Sequence, residues 1–235
     1  MESAQNEVDL IVILPCFQKS HEIGAVVQNL SDVLNGTNLK YRLLIVDDGS
    51  TIPVSIPNND VVLVVRHELN RGKGAALRTG ITLSRSKLIA FFDSDLDIDP
   101  SCLPPMIFAV LLGQCELAIA SKRHPASNIF YPKVRVVLSR SFYFIQRILF
   151  NLPPHDTQTG AKVLGSHAIE EMRKTTEKGF LIDLELVILL NAKKYRISEF
   201  PVSIEHKFSS TIRVRDILMM ARGIANIYSK YRKIL

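Results

Sequence analysis

The sequence predicts an α/β protein in which helices flank a mostly parallel central sheet. Three observations lead there. Short apolar runs, VDLIVILP, YRLLIVDD, DVVLVVRH and KLIAFFDSD, recur through the first hundred residues, and each ends at polar or turn residues. The segments between them carry helical spacing instead of alternation. The runs are apolar at nearly every position, the pattern of strands buried on both faces of a parallel sheet.

The elements follow in order. VDLIVILP is the first strand, and Ile23, Val26, Val27, Leu30 and Leu34 mark the first helix, with Ser20 as its expected N-cap and Gly36 near its end. YRLLIVDD and DVVLVVRH are the second and third strands. NRGKGAAL (70–77) leads into another helix, and KLIAFFDSD is the fourth strand. Asp99, just before Pro100, is expected to cap the helix that follows. CELAIASKR is the fifth strand.

Beyond residue 121 the pattern changes. KVRVVLSRSFYFIQRILF (133–150) reads as a helix apolar nearly all round, with Arg135, Arg140 and Arg147 interspersed. The loop NLPPHDTQTG precedes a strand at Ala161–Leu164 and a helix after Ser166. FLIDLELVILLNAKKY is a helix and ISEFPVSIEH a strand. The last helix, about Val214 to Tyr231, aligns Ile217, Leu218, Ala221, Ile224, Ala225 and Tyr228 on one stripe. No stretch offers the ~18 uncharged apolar residues that cross a bilayer. The 133–150 helix is instead expected to lie in a membrane interface. The final helix fits an interfacial and a core role equally.

With 235 residues, 47% of them apolar, the chain is expected to form one domain over 1–235 with ample core. The net charge of +6 conceals a division. Residues 1–120 hold 9 Lys and Arg against 14 Asp and Glu, whereas residues 121–235 hold 20 against 9. A basic second half is suited to phosphates or an anionic membrane, or is simply a solvated surface. No aromatic-rich stripe interleaves with those cations, so no nucleic-acid partner is expected. Cys16, Cys102 and Cys115 match neither a zinc site nor a disulfide framework. The opening MESAQNEVDL carries no secretory signal, and a cytoplasmic setting is expected.

Functional loops of such sheets gather at the carboxyl ends of the strands. Pro15, Asp47, Asp48 and the run Asp93, Asp95, Asp97 and Asp99 all fall there. Alternate carboxylates repel unless a cation sits among them, and hard divalent ions prefer oxygen ligands, waters and substrate phosphates. Asp95 is the first candidate ligand, with Asp93 and Asp97 beside it. A solvated acidic loop is the plainer alternative. In LLIVDDGS, Gly49 makes a tight turn that presents Asp48 to a ribose or base, or else Asp47 and Asp48 satisfy local amides in an Asx-type turn. NRGKGAAL sets two glycines around Lys73 at a helix start, similar to a phosphate loop.

Together, VILPCFQKSHEIGAVV, LLIVDDGS, NRGKGAALRTG and FFDSDLD resemble the family-two glycosyltransferases of the GT-A fold, a Rossmann-like architecture. The branch they resemble is the dolichyl-phosphate mannose synthase-like enzymes, which move a hexose from a nucleotide sugar to a polyprenyl phosphate. The likeness continues through ASKR, DTQTGAKVL, FLIDLELVILL and EFPVSIEHKFSSTI. It implies a nucleotide-sugar cradle from Pro15, Phe17, Gln18, Asp47, Asp48, Gly49, Arg71, Gly72, Lys73, Asp93 and Ser94. It also implies Mg²⁺ or Mn²⁺ at Asp93, Asp95 and Asp97. Two departures stand out. Lys19 replaces the acid of the family's first motif, with Glu22 one turn on as its substitute. Thr211 replaces a lysine near the end, with Arg213 as a substitute charge.

The resemblance implies inversion by direct displacement at the cytosolic membrane face, by a peripheral enzyme with a possible membrane-protein partner. A phosphate acceptor carries roughly −1.5 to −2 charge and is already a nucleophile. Arginines suit it, since a guanidinium fork matches phosphate oxygens. Arg123 is the first such candidate. Arg135 and Ser139 lie at i and i+4 on one helix face, and His206, Lys207 and Arg213 are further donors. An alcohol acceptor would need a base, for which Asp156 and Asp183 are candidates ahead of Glu185. Asp156 is expected rather to shape the acceptor loop and Glu185 to fix a helix against the sheet. Two alternatives remain: a relative of the same fold acting on a saccharide or protein hydroxyl, and a nucleotide-sugar binder without turnover.

Overall fold

A computed structural model describes residues 8–95, 97–130, 144–150, 152, 156–205 and 214–233. Its centre is a seven-stranded sheet in the order β3-β2-β1-β4-β7-β5-β8. The strands are β1 (Leu10–Cys16), β2 (Tyr41–Asp47), β3 (Val62–Arg66), β4 (Ile89–Phe92), β5 (Leu117–Ser121), β7 (Ala161–Leu164) and β8 (Ile197–Pro201). The pairs β1–β2, β1–β4, β2–β3 and β5–β8 are parallel, and β7 alone runs antiparallel, between β4 and β5. A reversed strand between two others returns β5 to the direction of β4. The carboxyl ends of β1, β2, β4, β5 and β8 therefore share one edge of the sheet.

Successive strand residues face opposite sides, and the core divides accordingly. Leu10, Val12 and Leu14 pack with Ile23, Val26, Leu30 and Leu34 of α1 (Ile23–Leu34) and with Leu103, Met106 and Ile107 of α3 (Leu103–Leu111). Ile11 and Ile13 face the opposite layer. It is built from α2 (Lys73–Leu83), helical residues 144–150 (α4), α5 (Ser166–Lys174), α6 (Ile182–Ala192) and α7 (Val214–Tyr231). Helix α6 is buried all round from Ile182 to Ile188, and the two acids inside that stretch, Asp183 and Glu185, therefore need partners. Burying each large aliphatic side chain contributes about 1.5–3 kcal/mol, so the two layers together hold the helices against both faces of the sheet.

Several sequence expectations change. Ser20 does not cap α1. Its Oγ donates to the Ile52 carbonyl, and the helix starts two residues later, with Glu22 at the N-cap position and the Glu22 and Ile23 amides donating to the Lys19 carbonyl. ISEFPVSIEH divides at Val202 into β8 and β9 (Ser203–Glu205), and β9 pairs in parallel with a strand not foreseen, β6 (Asn128–Phe130). Pro201 has no N–H to extend a ladder, and the Val202 amide donates to Ser127 Oγ at 3.0 Å instead. The inward face of α7 carries Ile224, Ile227 and Tyr231, while Ala221, Ala225 and Tyr228 of the anticipated stripe are exposed. Its end is turned by Glu185, which accepts from Lys230 Nζ at 2.8 Å and Tyr231 Oη at 2.6 Å. Of the 133–150 helix only 144–150 is described. There Phe144, Ile145 and Ile148 are exposed and Phe150 is buried against the sheet layer, edge-on to Tyr228.

Candidate active site

The loops at the carboxyl edge form one surface, assembled from the ends of β1, β2, β4 and β5. The loop after β1 is clasped to the one after β2: the Gln18 amide donates to Ser50 Oγ at 3.0 Å, and Gln18 Nε2 to Thr51 Oγ1 at 2.9 Å. Phe17 projects outward, 45% exposed. Pro15 contributes its carbonyl, which accepts from Ser94 Oγ at 2.8 Å and ties the acidic loop to β1. The departure at the first motif is balanced locally. Lys19 and Glu22 form an ion pair at 2.8 Å, so the substitute acid is neutralised by the lysine that displaced the original one.

Asp47 and Asp48 are both buried, and the Asx-type alternative describes them. Asp47 accepts the amides of Ser50 (3.0 Å) and Val54 (3.2 Å) and pairs with Arg66 at 2.6 Å, its register partner on β3. Burial opposes ionisation, but the Ser50 and Val54 hydrogen bonds and Arg66 hold its carboxyl below the usual range. Asp48 Oδ1 receives His67 Nδ1 (2.6 Å) and the Arg71 amide (2.9 Å), while Oδ2 receives the Gly72 amide (2.7 Å). Asp48 thus shapes the start of α2 and does not face a ribose through a free carboxylate. Gly49 (φ +75°) and Gly72 (φ +94°) sit in left-handed conformations, and a Cβ on either would meet backbone, of Leu69 and Asn70 in one case and of Lys178 in the other.

In NRGKGAAL, expected to act as a phosphate loop, most of the backbone amides are already engaged within the protein. Such a loop needs unpaired amides, yet those of Arg71 and Gly72 go to Asp48. The Gly74 amide donates to the Lys178 carbonyl at 2.8 Å, and that of Ala76 to the Gly72 carbonyl. What the loop delivers is a side chain. Lys73 Nζ lies 2.7 Å from Asp93 Oδ1 and 3.8 Å from Asp183 Oδ2, with the Phe180 ring 6.0 Å away. Asp183 also meets Lys162 Nζ at 3.1 Å. Gly160 permits this arrangement, because a Cβ there would strike the Asp93 carboxylate.

Asp93 is therefore neutralised by Lys73. Burial raises its pKa, but Lys73 and then Lys162 pull it below the ordinary value. Asp95 is the opposite case. Burial first, then the charges of Asp93 and Asp97, push it up to about 6. A carboxylate so disfavoured as an anion is one that an added cation would stabilise. The Asp97 amide turns back to Asp95 Oδ1 at 3.4 Å, and Asp99 caps Ser101 as expected, accepting its amide at 2.9 Å. Among the described residues, no three His, Cys, Asp or Glu side chains enclose a metal site by themselves. Asp95 with Asp97 fits an ion that takes the rest of its shell from water and a diphosphate, as Mg²⁺ usually does. Asp93 is the member of the expected triad already engaged by a cation.

On the acceptor side, Arg123 follows β5, its amide donating to Ser121 Oγ at 3.2 Å. Asp156 Oδ2 accepts the Lys122 amide at 2.9 Å, Oδ1 faces Lys122 Nζ at 3.7 Å, and the Asp156 amide donates to Glu199 at 2.7 Å. It is a brace for the 121–123 loop and not a poised base. Asp183 is likewise committed to two lysines. Glu185 fixes the 176–177 turn and α7, accepting the Thr176 and Glu177 amides at 2.8 Å each, and not the sheet. Arg135, Ser139, His206, Lys207, Thr211 and Arg213 lie outside the described residues. Sequence reading passed over Lys162 and Gly160. The available signal was a lysine inside GAKVLG, an apolar strand where a charge implies a buried partner.

Comparison with known proteins agrees with this fold. Residues 11–172 match the model of the family described as glycosyl transferase family 2. The glycosyltransferase AglD of Haloferax volcanii is 26% identical over 92% of this chain, which spans only 36% of that protein. The dolichyl-phosphate beta-glucosyltransferase of Saccharomyces cerevisiae is 26% identical over 96% of this chain and 75% of its own length. Among solved structures, glucosyl-3-phosphoglycerate synthase from Mycobacterium tuberculosis, in complex with Mn²⁺, uridine diphosphate and glucosyl-3-phosphoglycerate, superposes with a TM-score of 0.69. That match has 18% identity and covers 96% of this chain and 80% of the other.

Proposed function

The chain belongs to glycosyl transferase family 2, and on that premise we propose that it transfers a hexose from a nucleotide sugar to a polyprenyl phosphate, inverting the sugar carbon. One observation carries the choice of acceptor. Asp156 and Asp183, the carboxylates that could serve an alcohol as base, are each held by lysines. A phosphate monoester needs no base, because its oxygen is already anionic. The yeast relative, a dolichyl-phosphate beta-glucosyltransferase, supports the same class. It also makes UDP-glucose the first donor to test, with GDP-mannose second.

In this reading Asp95 and Asp97 hold a divalent ion, which supplies Lewis-acid stabilisation of the departing diphosphate. Lys73 adds a fixed positive charge beside Asp93. Arg123, braced by the Asp156 loop, receives the acceptor phosphate with Arg135 and Ser139. The protein holds two anionic groups together and offsets their repulsion. Among the described residues no helix is long and apolar enough to cross a membrane. We place the enzyme peripherally, on the cytosolic face, where exposed Phe144, Ile145 and Ile148 beside exposed Arg147 suit an anionic interface.

The test is incubation with Mg²⁺ or Mn²⁺, a panel of UDP- and GDP-hexoses and short polyprenyl phosphates. Product with the lipid phosphate alone is expected. Product with alcohols alone would move the enzyme to the hydroxyl-acceptor class, and donor binding without turnover would make it a binder. Asp95→Ala should abolish transfer with the fold intact, and activity surviving metal removal would overturn the mechanism.

A further inference from the structure

A chain of alternating charge runs beneath the acidic loop: Lys162 to Asp183 at 3.1 Å, Asp183 to Lys73 at 3.8 Å, Lys73 to Asp93 at 2.7 Å. Three separate elements, β7, α6 and α2, supply its first three members. Lys162 is 1% exposed on a strand whose other residues are all buried and apolar. Its ammonium touches only two oxygens among the contacts described, Asp183 Oδ1 and the Thr159 carbonyl. Burial outweighs the pull of Asp183 and, with the Lys73 charge nearby, leaves the pKa of Lys162 below the ordinary lysine value. Buried ion pairs are poor stabilisers, because desolvating each ion costs several kcal/mol and apolar replacements are often as stable. Stability therefore does not explain why a lysine stands here.

Electrostatics at Lys73 does. Lys73 opens α2 on a flexible four-carbon stem and lies between two carboxylates, Asp93 at the site and Asp183 beneath it. Asp183 without a counter-ion would be the more deeply buried and the stronger trap, and would draw the ammonium down. With Lys162 against it, Asp183 is already balanced, and Lys73 sits 1.1 Å closer to Asp93 (2.7 against 3.8 Å). Resting on the reading of Lys73 as a donor-binding group, we infer that Lys162 is a positioning residue. It neutralises Asp183 and so leaves the Lys73 ammonium at Asp93, where the nucleotide sugar meets it.

The inference predicts a rescue that a purely structural role would not give. Donor dissociation constants are measured by calorimetry with UDP-glucose and GDP-mannose plus Mn²⁺, and folding is followed by thermal unfolding. Lys162→Met should weaken donor binding about tenfold to a hundredfold, the worth of one charge-assisted contact. The double variant Lys162→Met/Asp183→Asn, which removes both charges, should return it to within about threefold, since Lys73 then has Asp93 alone. Lys162→Gln, whose amide can still donate to Asp183, replaces the methionine variant if that one does not fold. Wild-type donor affinity in Lys162→Met, or a double variant that binds donor no better than the single one, overturns the inference. Lys73→Met tests the premise separately. Undiminished donor binding there removes Lys73 from the site, whereas a weakened Lys73→Met beside an unaffected Lys162→Met sinks the positioning role alone.

Discussion

Asp48→Asn distinguishes a carboxylate that binds a ligand from one that builds the loop beneath it. The residue is 2% exposed and its carboxylate takes three hydrogen bonds, from His67 Nδ1 at 2.6 Å, the Arg71 amide at 2.9 Å and the Gly72 amide at 2.7 Å. The substitution is isosteric but turns one acceptor oxygen into an NH₂ group. If the remaining oxygen stays with His67 and Arg71, the new amide meets the Gly72 N–H donor to donor. One hydrogen bond to a charged acceptor is then lost, about 1.5–3 kcal/mol, and a buried donor is left unsatisfied, about 1–3 kcal/mol. The expected destabilisation is about 2.5–6 kcal/mol, read as a lower urea midpoint at unchanged m-value. Donor affinity should fall with it, because Gly72 sets the start of α2 and hence the place of Lys73. A variant with an unchanged midpoint that has lost only donor affinity would refute this and return Asp48 to direct contact with the nucleotide.

Gly160→Ala, whose added methyl would strike Asp93, should lower kcat/KM about a hundredfold, as expected for a displacement near 1 Å at a reacting site; wild-type kinetics would show that Asp93 has room to move. Glu185 supplies a pH dependence. Burial opposes its charge, but Lys230, Tyr231 and the Glu177 and Thr176 amides win and hold its pKa below the usual carboxylate range. A depressed folded-state pKa adds stability that is complete above the unfolded value of about 4.3 and is lost as pH falls through the folded one. Thermal unfolding followed from neutral to acid pH should show that loss, and Glu185→Gln should flatten it while increasing hydrogen exchange in α7. The three cysteines are free and buried, with burial and then Asp99 pushing Cys102 up to about 12. A thiol reagent should label none of them in the native protein and all three after denaturation; fast native labelling would contradict the packing.

What the sequence settled alone was mostly local. Apolar runs of strand length predict β1, β2, β4, β5 and β7, because strands buried on both faces are apolar at most positions. Asp99 before Pro100 predicts a cap, since the capping contact spans only two residues. The order of motifs also placed the acidic loop at a strand end. Contacts between distant residues were decided only by the tertiary structure. No periodicity tells that β7 enters antiparallel between β4 and β5, or that Lys178, a hundred or so positions away, takes the amide of Gly74 and closes what resembled a phosphate loop. The same holds for the acids. Asp93, Asp95 and Asp97 look equivalent in a string, yet a lysine from α2 neutralises the first and burial beside its neighbours lifts the pKa of the second. A charge acquires its role from what surrounds it in space, and the chain specifies those surroundings only once it has folded.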